Sequence, residues 1–416
     1  MADSSDYKVL YVEENEAVKQ DPKVSPILLK SLVASGLPEA FLDDVRKPTT
    51  LPTPRRFGQG SPYPPIHVIV STGSGTGQAL PVWEQVVQPT LESLDLRIDL
   101  HYALHITESA TTVAEITRDV ILPRSNEGTA QLIVLLTGDG GVVDVVNTLL
   151  SSERTDAYKR PAIALLPLGT GNALAHSAKI TADATLGLKT LVHGSPKPLP
   201  VFRTSFSPGA RLLVNEARDE QELDTYNHTP VAYGTVVCSW GLHATLVADS
   251  DTVEYRKFGA ERFKMAAGEA LFPKDGSQPH AYKGTVSILR VSSDQWQAID
   301  RSEHAYVLAT LVSELEKGFT ISPNTKPLDG QLRVVHFAPG SGKEAMEIMG
   351  GAYAGGKHIE DQRVGYEDIV GLKIEFDEDD GRWRRVCVDG KIIRVEQGGW
   401  VELRMGVQSV VDLLVL

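Results

Sequence analysis

The sequence predicts an α/β plus β protein: a Rossmann-like parallel-sheet domain over residues 65–200, then an antiparallel, β-rich, sandwich-like domain over 201–416. Residues 1–64 precede both as an extension and linker. Three observations lead there. In the first half, short and wholly apolar runs alternate with helix-compatible stretches, the pattern of a parallel sheet covered on both faces. Several of those runs end in glycine-rich loops. After about Lys197 strand-like runs joined by tight turns dominate. At roughly 100–200 residues per domain, 416 residues suit two domains.

The extension predicts a short strand at Lys8–Val12 and a helical stretch near Ser25–Ala34. PTTLPTPRRFGQGSPYPP follows, a Pro- and Gly-rich linker in which Arg55 and Arg56 are solvated loop charges. Ile66–Val70 is the first apolar strand, ending in STGSGTGQA and passing to the helical stretch LPVWEQVVQPTLESL. Leu96–Tyr102 alternates like a strand, and Thr107 to Val120 has helical spacing. Leu132–Leu136 ends in TGDGG and feeds a helix over Val142–Leu150, and Ala162–Leu166 ends in PLGTGN and feeds another. In the second half, strands are expected at Arg211–Val214, Thr235–Ser239, Gly284–Leu289, Tyr306–Leu311, Leu332–Phe337, Gly371–Phe376 and Arg384–Val388. Helices are expected around Tyr255–Leu271 and Lys343–Ala354, and Asp-Gly turns join the last strands.

Composition narrows the function. The formal net charge of −13 lacks the basic footprint of a nucleic-acid binder. Cys238 and Cys387 sit in apolar runs as buried thiols and make neither a disulfide framework nor a zinc site. The acidic N-terminus has no signal-peptide apolar stretch, and no run of about 18 apolar residues exists to span a bilayer. A cytoplasmic location is expected.

The glycine loops carry the chemistry. Glycines let backbone N–H groups approach phosphate oxygens, and a helix start adds a favourable dipole. Thr137-Gly138-Asp139-Gly140-Gly141 adds an acid, which beside bare phosphate would repel. It makes sense where a cation bridges or where it takes a proton from an incoming hydroxyl. An Asp-Gly turn closing a strand-to-helix connection would use the same residues. Leu168-Gly169-Thr170-Gly171-Asn172 is a second such loop, and Thr170 and Asn172 add donors. Ser71-Thr72-Gly73-Ser74-Gly75 opens a third, matching neither the dinucleotide fingerprint nor the Walker pattern. Three such loops at strand ends suggest a nucleotide's phosphates.

TGDGGVVDVVNTLL and LPLGTGNALAHSA resemble the two central motifs of the diacylglycerol kinase catalytic domain superfamily, and the GNALA ending is similar to sphingosine kinases. STGSGTGQA occupies the place of that family's first loop, and ITESATTVAEI resembles its nucleotide-contacting segment. SWGLHATLVADSDTVEYRKFGAERF, DGQLRVVHF and VCVDGK complete the order. The resemblance implies a nucleotide domain followed by a lipid-binding domain, with ATP and Mg2+ as cofactors. It further implies transfer of the ATP γ-phosphoryl group to a primary hydroxyl of a sphingoid base or diacylglycerol-like lipid, met at a transient membrane surface.

It implies residue roles too. Asp139 matches the catalytic base. Ser71, Thr72, Gly73, Ser74, Gly75, Thr107, Gly138, Gly140, Gly169, Thr170 and Gly171 match nucleotide contacts, and Gly140 also shapes the substrate site. Arg256 and Arg262 match phosphate-contacting arginines, and Asp389-Gly390 matches the turn that reaches the nucleotide and its magnesium. Asp249, counted back from Tyr255-Arg256, matches the acid that holds the substrate's polar head. Departures from the pattern are Gln78 for a lysine, Lys391 for a glutamate, Asp144 where many members carry glutamate, and four extra residues between Trp240-Gly241 and Ala248. They leave open a catalytically impaired, regulatory relative. An NAD-kinase-like enzyme is a further alternative, against which the SWG…ADSD segment argues.

Overall fold

The structure, a computed structural model, describes residues 7–19, 21, 24–36, 65–75, 77–259 and 261–416. Arg55, Arg56 and the linker expected around them lie outside the described residues.

Strand β3 (Ile66–Val70) is buried along its whole length, as are β5 (Leu132–Thr137) and all but the first residue of β6 (Ala162–Pro167). Such strands must be covered on both faces. With β4 (Tyr102–Ile106) they pair in parallel in the order β4-β3-β5-β6. Leu91, Val86 and Trp83 of the helical segments after β3 cover one face, and Val142, Val145 and Leu149 of the Asp139–Ser151 helix cover the other. The final strand of the chain, Asp412–Val415, also joins this sheet, parallel to β6 and antiparallel to β7 (Ser195–Pro198). The second domain expected over 201–416 therefore gives way at its end, because the apolar Leu413 and Leu414 complete the core of the first.

Three expectations fail locally. Ser25–Ala34 is not helical: Ile27–Ala34 is strand β2, paired antiparallel with β1 (Tyr7–Glu14) from Tyr7↔Ala34 to Glu14↔Ile27. Pairing with β1 decides the conformation of a segment whose own propensity is ambiguous. The strand expected at Leu96–Tyr102 begins only at Tyr102, because Asp95 and Asp99 both adopt φ of 59° and turn the chain there. The helix expected from Thr107 starts at Thr112.

The second domain is a large antiparallel sheet. Lys391–Arg394, Arg385–Val388, Val237–Gly241, Tyr306–Thr310, Leu332–Phe337 and Val364–Phe376 run side by side through it. Trp240, fully buried, packs edge-on against Tyr282 and Phe376 at the centre of its apolar core. Helices Leu242–Ser250, Glu261–Leu271 and Gly342–Tyr353 lie against the sheet or one another. Cys238 and Cys387 are buried free thiols.

Candidate active site

The three glycine loops meet at the C-terminal ends of β3, β5 and β6. The first is pinned to the end of β4: Thr72 N–H donates to Thr107 Oγ1 (3.1 Å) and Thr72 Oγ1 donates to Thr107 O (2.9 Å). Ser74 Oγ donates to Ser71 Oγ (2.7 Å) and lies 2.9 Å from Thr137 Oγ1, tying this loop to the second. Close approach explains the glycines. Gly75 has φ of +55°, and a Cβ there would overlap the Leu168 carbonyl oxygen. A Cβ on Gly138 would lie 2.7 Å from Gly169 Cα, so two loops touch backbone to backbone. Gly73 and Gly140 face open space. Ser71, Thr72, Gly73, Ser74, Gly75, Thr107, Gly138, Gly140, Gly169, Thr170 and Gly171 therefore gather at one sheet edge. Asn172 does not serve as an outward donor. In the left-handed region (φ 54°), its side chain accepts from Gly169 N–H (2.8 Å) and donates to Gly169 O (2.9 Å).

Asp139 opens its helix half-buried, Oδ2 accepting from Ala173 N–H (2.8 Å) and Oδ1 from Leu174 N–H (3.0 Å). Burial pushes its carboxyl above the usual range against the pull of those two bonds. Each oxygen keeps a lone pair for another donor.

The second domain supplies the opposing wall. Asp389 and Gly390 form the two-residue turn between Arg385–Val388 and Lys391–Arg394, both at positive φ as a tight hairpin requires. The Asp389 carboxylate turns inward and accepts the N–H groups of Thr235 (2.5 Å), Val236 (3.0 Å) and Val237 (2.6 Å). Burial, with a contribution from the charge of Asp139, pushes it up to about 7 despite those bonds. The Asp139 helix is bound to this wall: Asn147 exchanges hydrogen bonds with both backbone groups of Tyr233, and Asp144 pairs with Lys391 at 2.9 Å.

The remaining expected residues stand apart from the loops. Arg256 and Arg262 converge, but on Asp251, at 3.0 and 3.6 Å. Asp249 is already paired: Oδ2 accepts from Arg382 (2.9 Å) and Oδ1 from Arg385 (2.8 Å). Arg382 in turn lines a cavity of about 570 Å3 in the second domain, with Leu242, Leu271, Phe337 and Ile348 on its apolar side. Val237, bonded to Asp389, and Leu242, in the cavity wall, bracket the strand Val237–Gly241, so one strand connects the acidic turn to the cavity. Sequence reasoning missed Arg382, Arg385, Asn147 and the Asp144–Lys391 pair. A cluster of arginines in FDEDDGRWRRVCVDGK, within an acidic chain, was the available signal.

Three glycine loops thus gather with a hydrogen-bonded aspartate at one sheet edge. Residues 65–204 match the diacylglycerol kinase catalytic domain. It is 24% identical to sphingosine kinase 1 of Mus musculus over 71% of this chain and 78% of that one. It is 23% identical to sphingosine kinase 1 of Homo sapiens, over 79% of this chain and 86% of the relative. The fold is similar to the crystal structure of a diacylglycerol kinase from Bacillus anthracis str. Sterne (TM-score 0.50, 14% identity, 84% of this chain and 96% of that one).

Proposed function

We propose that the chain is an ATP-dependent lipid kinase that transfers the γ-phosphoryl group to a primary hydroxyl of a sphingoid base or diacylglycerol-like lipid. One observation carries the mechanism: Asp139 is fixed by two backbone N–H groups where three glycine loops meet. The loops receive the phosphates on backbone N–H groups. Asp139, its carboxyl raised toward neutrality, accepts the lipid hydroxyl's proton as that oxygen attacks phosphorus. The altered pKa direction improves a general base at physiological pH. The rate comes from positioning and electrostatics, as for other phosphoryl transfers.

Magnesium would be held at Asp139, whose oxygens each keep a lone pair, and would neutralise phosphate charge there. Among the described residues no group of three or more His, Cys, Asp or Glu gathers to hold a metal. The cavity of the second domain is the pocket for lipid chains. Exposed Val253, Phe258, Met265 and Phe272, on the segments leading to Leu271 in its wall, form the surface that meets a membrane. No helix among the described residues is long and apolar enough to cross one.

Radiolabelled ATP offered with sphingosine, ceramide and diacylglycerol tests the proposal. Asp139→Asn should lower kcat by ~10²–10⁴-fold, the scale of general base catalysis, without lowering the melting temperature. Near-normal turnover by that variant would sink the mechanism.

A further inference from the structure

The polar wall of the second-domain cavity is built around Arg382. Its guanidinium lies over the Trp383 ring, 4.8 Å from the centroid, and Trp383 stacks on His280 at 4.0 Å and 11°. His280 is anchored to buried Glu378 at 2.8 Å, and Glu378 also accepts the Lys283 N–H. Behind this stack stands Asp249, each oxygen taken by a different guanidinium. The second of these, Arg385, is buried and bonded through Nε to the Arg382 carbonyl (2.8 Å). Arg382 lines the cavity and Asp249 does not.

What a lipid meets here is therefore a guanidinium, a group with donors and no acceptor. The hydroxyl pair Thr245–Tyr282 (2.6 Å) stands on the same wall. The acids at the rim are exposed and already bonded: Glu269 to Tyr255, Asp275 to Ser277, Glu344 to Ser341. An ammonium reaching Asp249 must compete with two guanidinium groups already bonded to it, one of them on the buried Arg385.

We propose that Arg382 determines substrate specificity by donating hydrogen bonds to an ester or amide carbonyl of an uncharged, acylated lipid. Asp249 is a positioning residue that holds Arg382 in place, and the free amine of a sphingoid base is disfavoured. This rests on the lipid-kinase reading above and selects among its substrates.

The test compares kcat/KM for sphinganine, N-octanoyl sphinganine and dioctanoylglycerol in mixed micelles, using the wild type, Arg382→Gln, Arg382→Lys and Asp249→Asn. The wild type should favour the acylated lipids by tenfold or more. Arg382→Gln should remove tenfold or more of that advantage through lipid KM while ATP KM stays constant, and Arg382→Lys should restore part of it. A wild type that prefers sphinganine, with the preference lost in Asp249→Asn, overturns the proposal. Arg382 is 55% exposed, so its variants test the idea even if Asp249→Asn does not fold. If no lipid is phosphorylated, the lipid-kinase reading fails, and binding of fluorescent N-acyl and free-amine sphinganine to the same proteins still decides the wall's preference. Acyl binding that Arg382→Gln abolishes supports it; amine binding overturns it.

Discussion

Two glycines in one loop differ in what their hydrogens face, and substituting each to alanine separates packing from composition. At Gly75, φ of +55° costs an L-residue roughly 1–2 kcal/mol. Its new Cβ would also overlap the Leu168 carbonyl oxygen, and overpacking of this kind costs about 1–3 kcal/mol. Leu168 cannot retreat freely, because its N–H is bonded to Thr137 O (2.9 Å) at the end of the neighbouring strand. The sum is about 2–5 kcal/mol for Gly75→Ala. Gly73 has open space within 4 Å, so Gly73→Ala should cost under about 1 kcal/mol. Thermal denaturation should place Gly75→Ala several degrees below Gly73→Ala. If the loop cradles phosphate, ATP KM should rise roughly tenfold or more for Gly75→Ala, each ~1.4 kcal/mol of lost binding being tenfold. Equal melting temperatures and equal ATP KM for the two variants would refute the argued contact between the first and third loops.

Further expectations concern charge and surface. Lys391→Asp should destabilise the cleft by about 1 kcal/mol or less, since both partners of the Asp144 pair are partly exposed, and Asp144→Lys with Lys391→Asp should recover most of it. A double-mutant cycle on urea midpoints measures this, and zero coupling would remove the pair from the interface. Burial pushes His67, His243, His304 and His336 each down to about 4 from 6.5. Their unfolded forms bind protons below pH 6.5 that the folded protein refuses until about 4, so stability is full above 6.5 and lost as pH falls toward 4. Asp389 acts oppositely: raised from 3.8 to about 7, it contributes stability present below 3.8 and lost as pH rises through 7. Net uptake of ~2–3 protons on unfolding near pH ~5.5 gives a slope of ~3–4 kcal/mol per pH unit. Urea midpoints that stay flat from pH ~5 to ~6.5 would contradict this. Finally, Phe258→Ser with Phe272→Ser should weaken sedimentation with phosphatidylcholine vesicles several-fold, and unchanged binding would exclude this surface.

The parallel sheet was legible because burial on both faces leaves no choice of residue: IHVIV, LIVLL and AIALL can hardly be anything else. The glycine loops were legible because φ above zero and backbone contact both demand glycine, as at Gly75 and at the Gly138–Gly169 contact. β2 was not, because ILLKSLVA lacks a decisive period and its conformation is set by a partner strand about 20 residues earlier. The carboxylate cradle of Asp389 was equally hidden. Its three N–H donors lie more than 150 positions away, at Thr235–Val237, and no local pattern marks them.

Asp249 shows that a residue found by counting along a chain can carry partners that the count does not reveal. The four extra residues between Trp240-Gly241 and Ala248 fall within the helix Leu242–Ser250. Four residues are about one helical turn, a rise of ~6 Å, so Asp249 sits one turn beyond Thr245 on the same face. Thr245 is the residue of that pair in the cavity wall, hydrogen-bonded to Tyr282, while Asp249 reaches the arginines behind Trp383. An acid aligned from its downstream neighbours is thereby carried past the ligand wall. The two arginines that meet it come from a segment 133 and 136 positions further on. The surroundings of Asp249 therefore follow from the inserted turn and the arginine segment together.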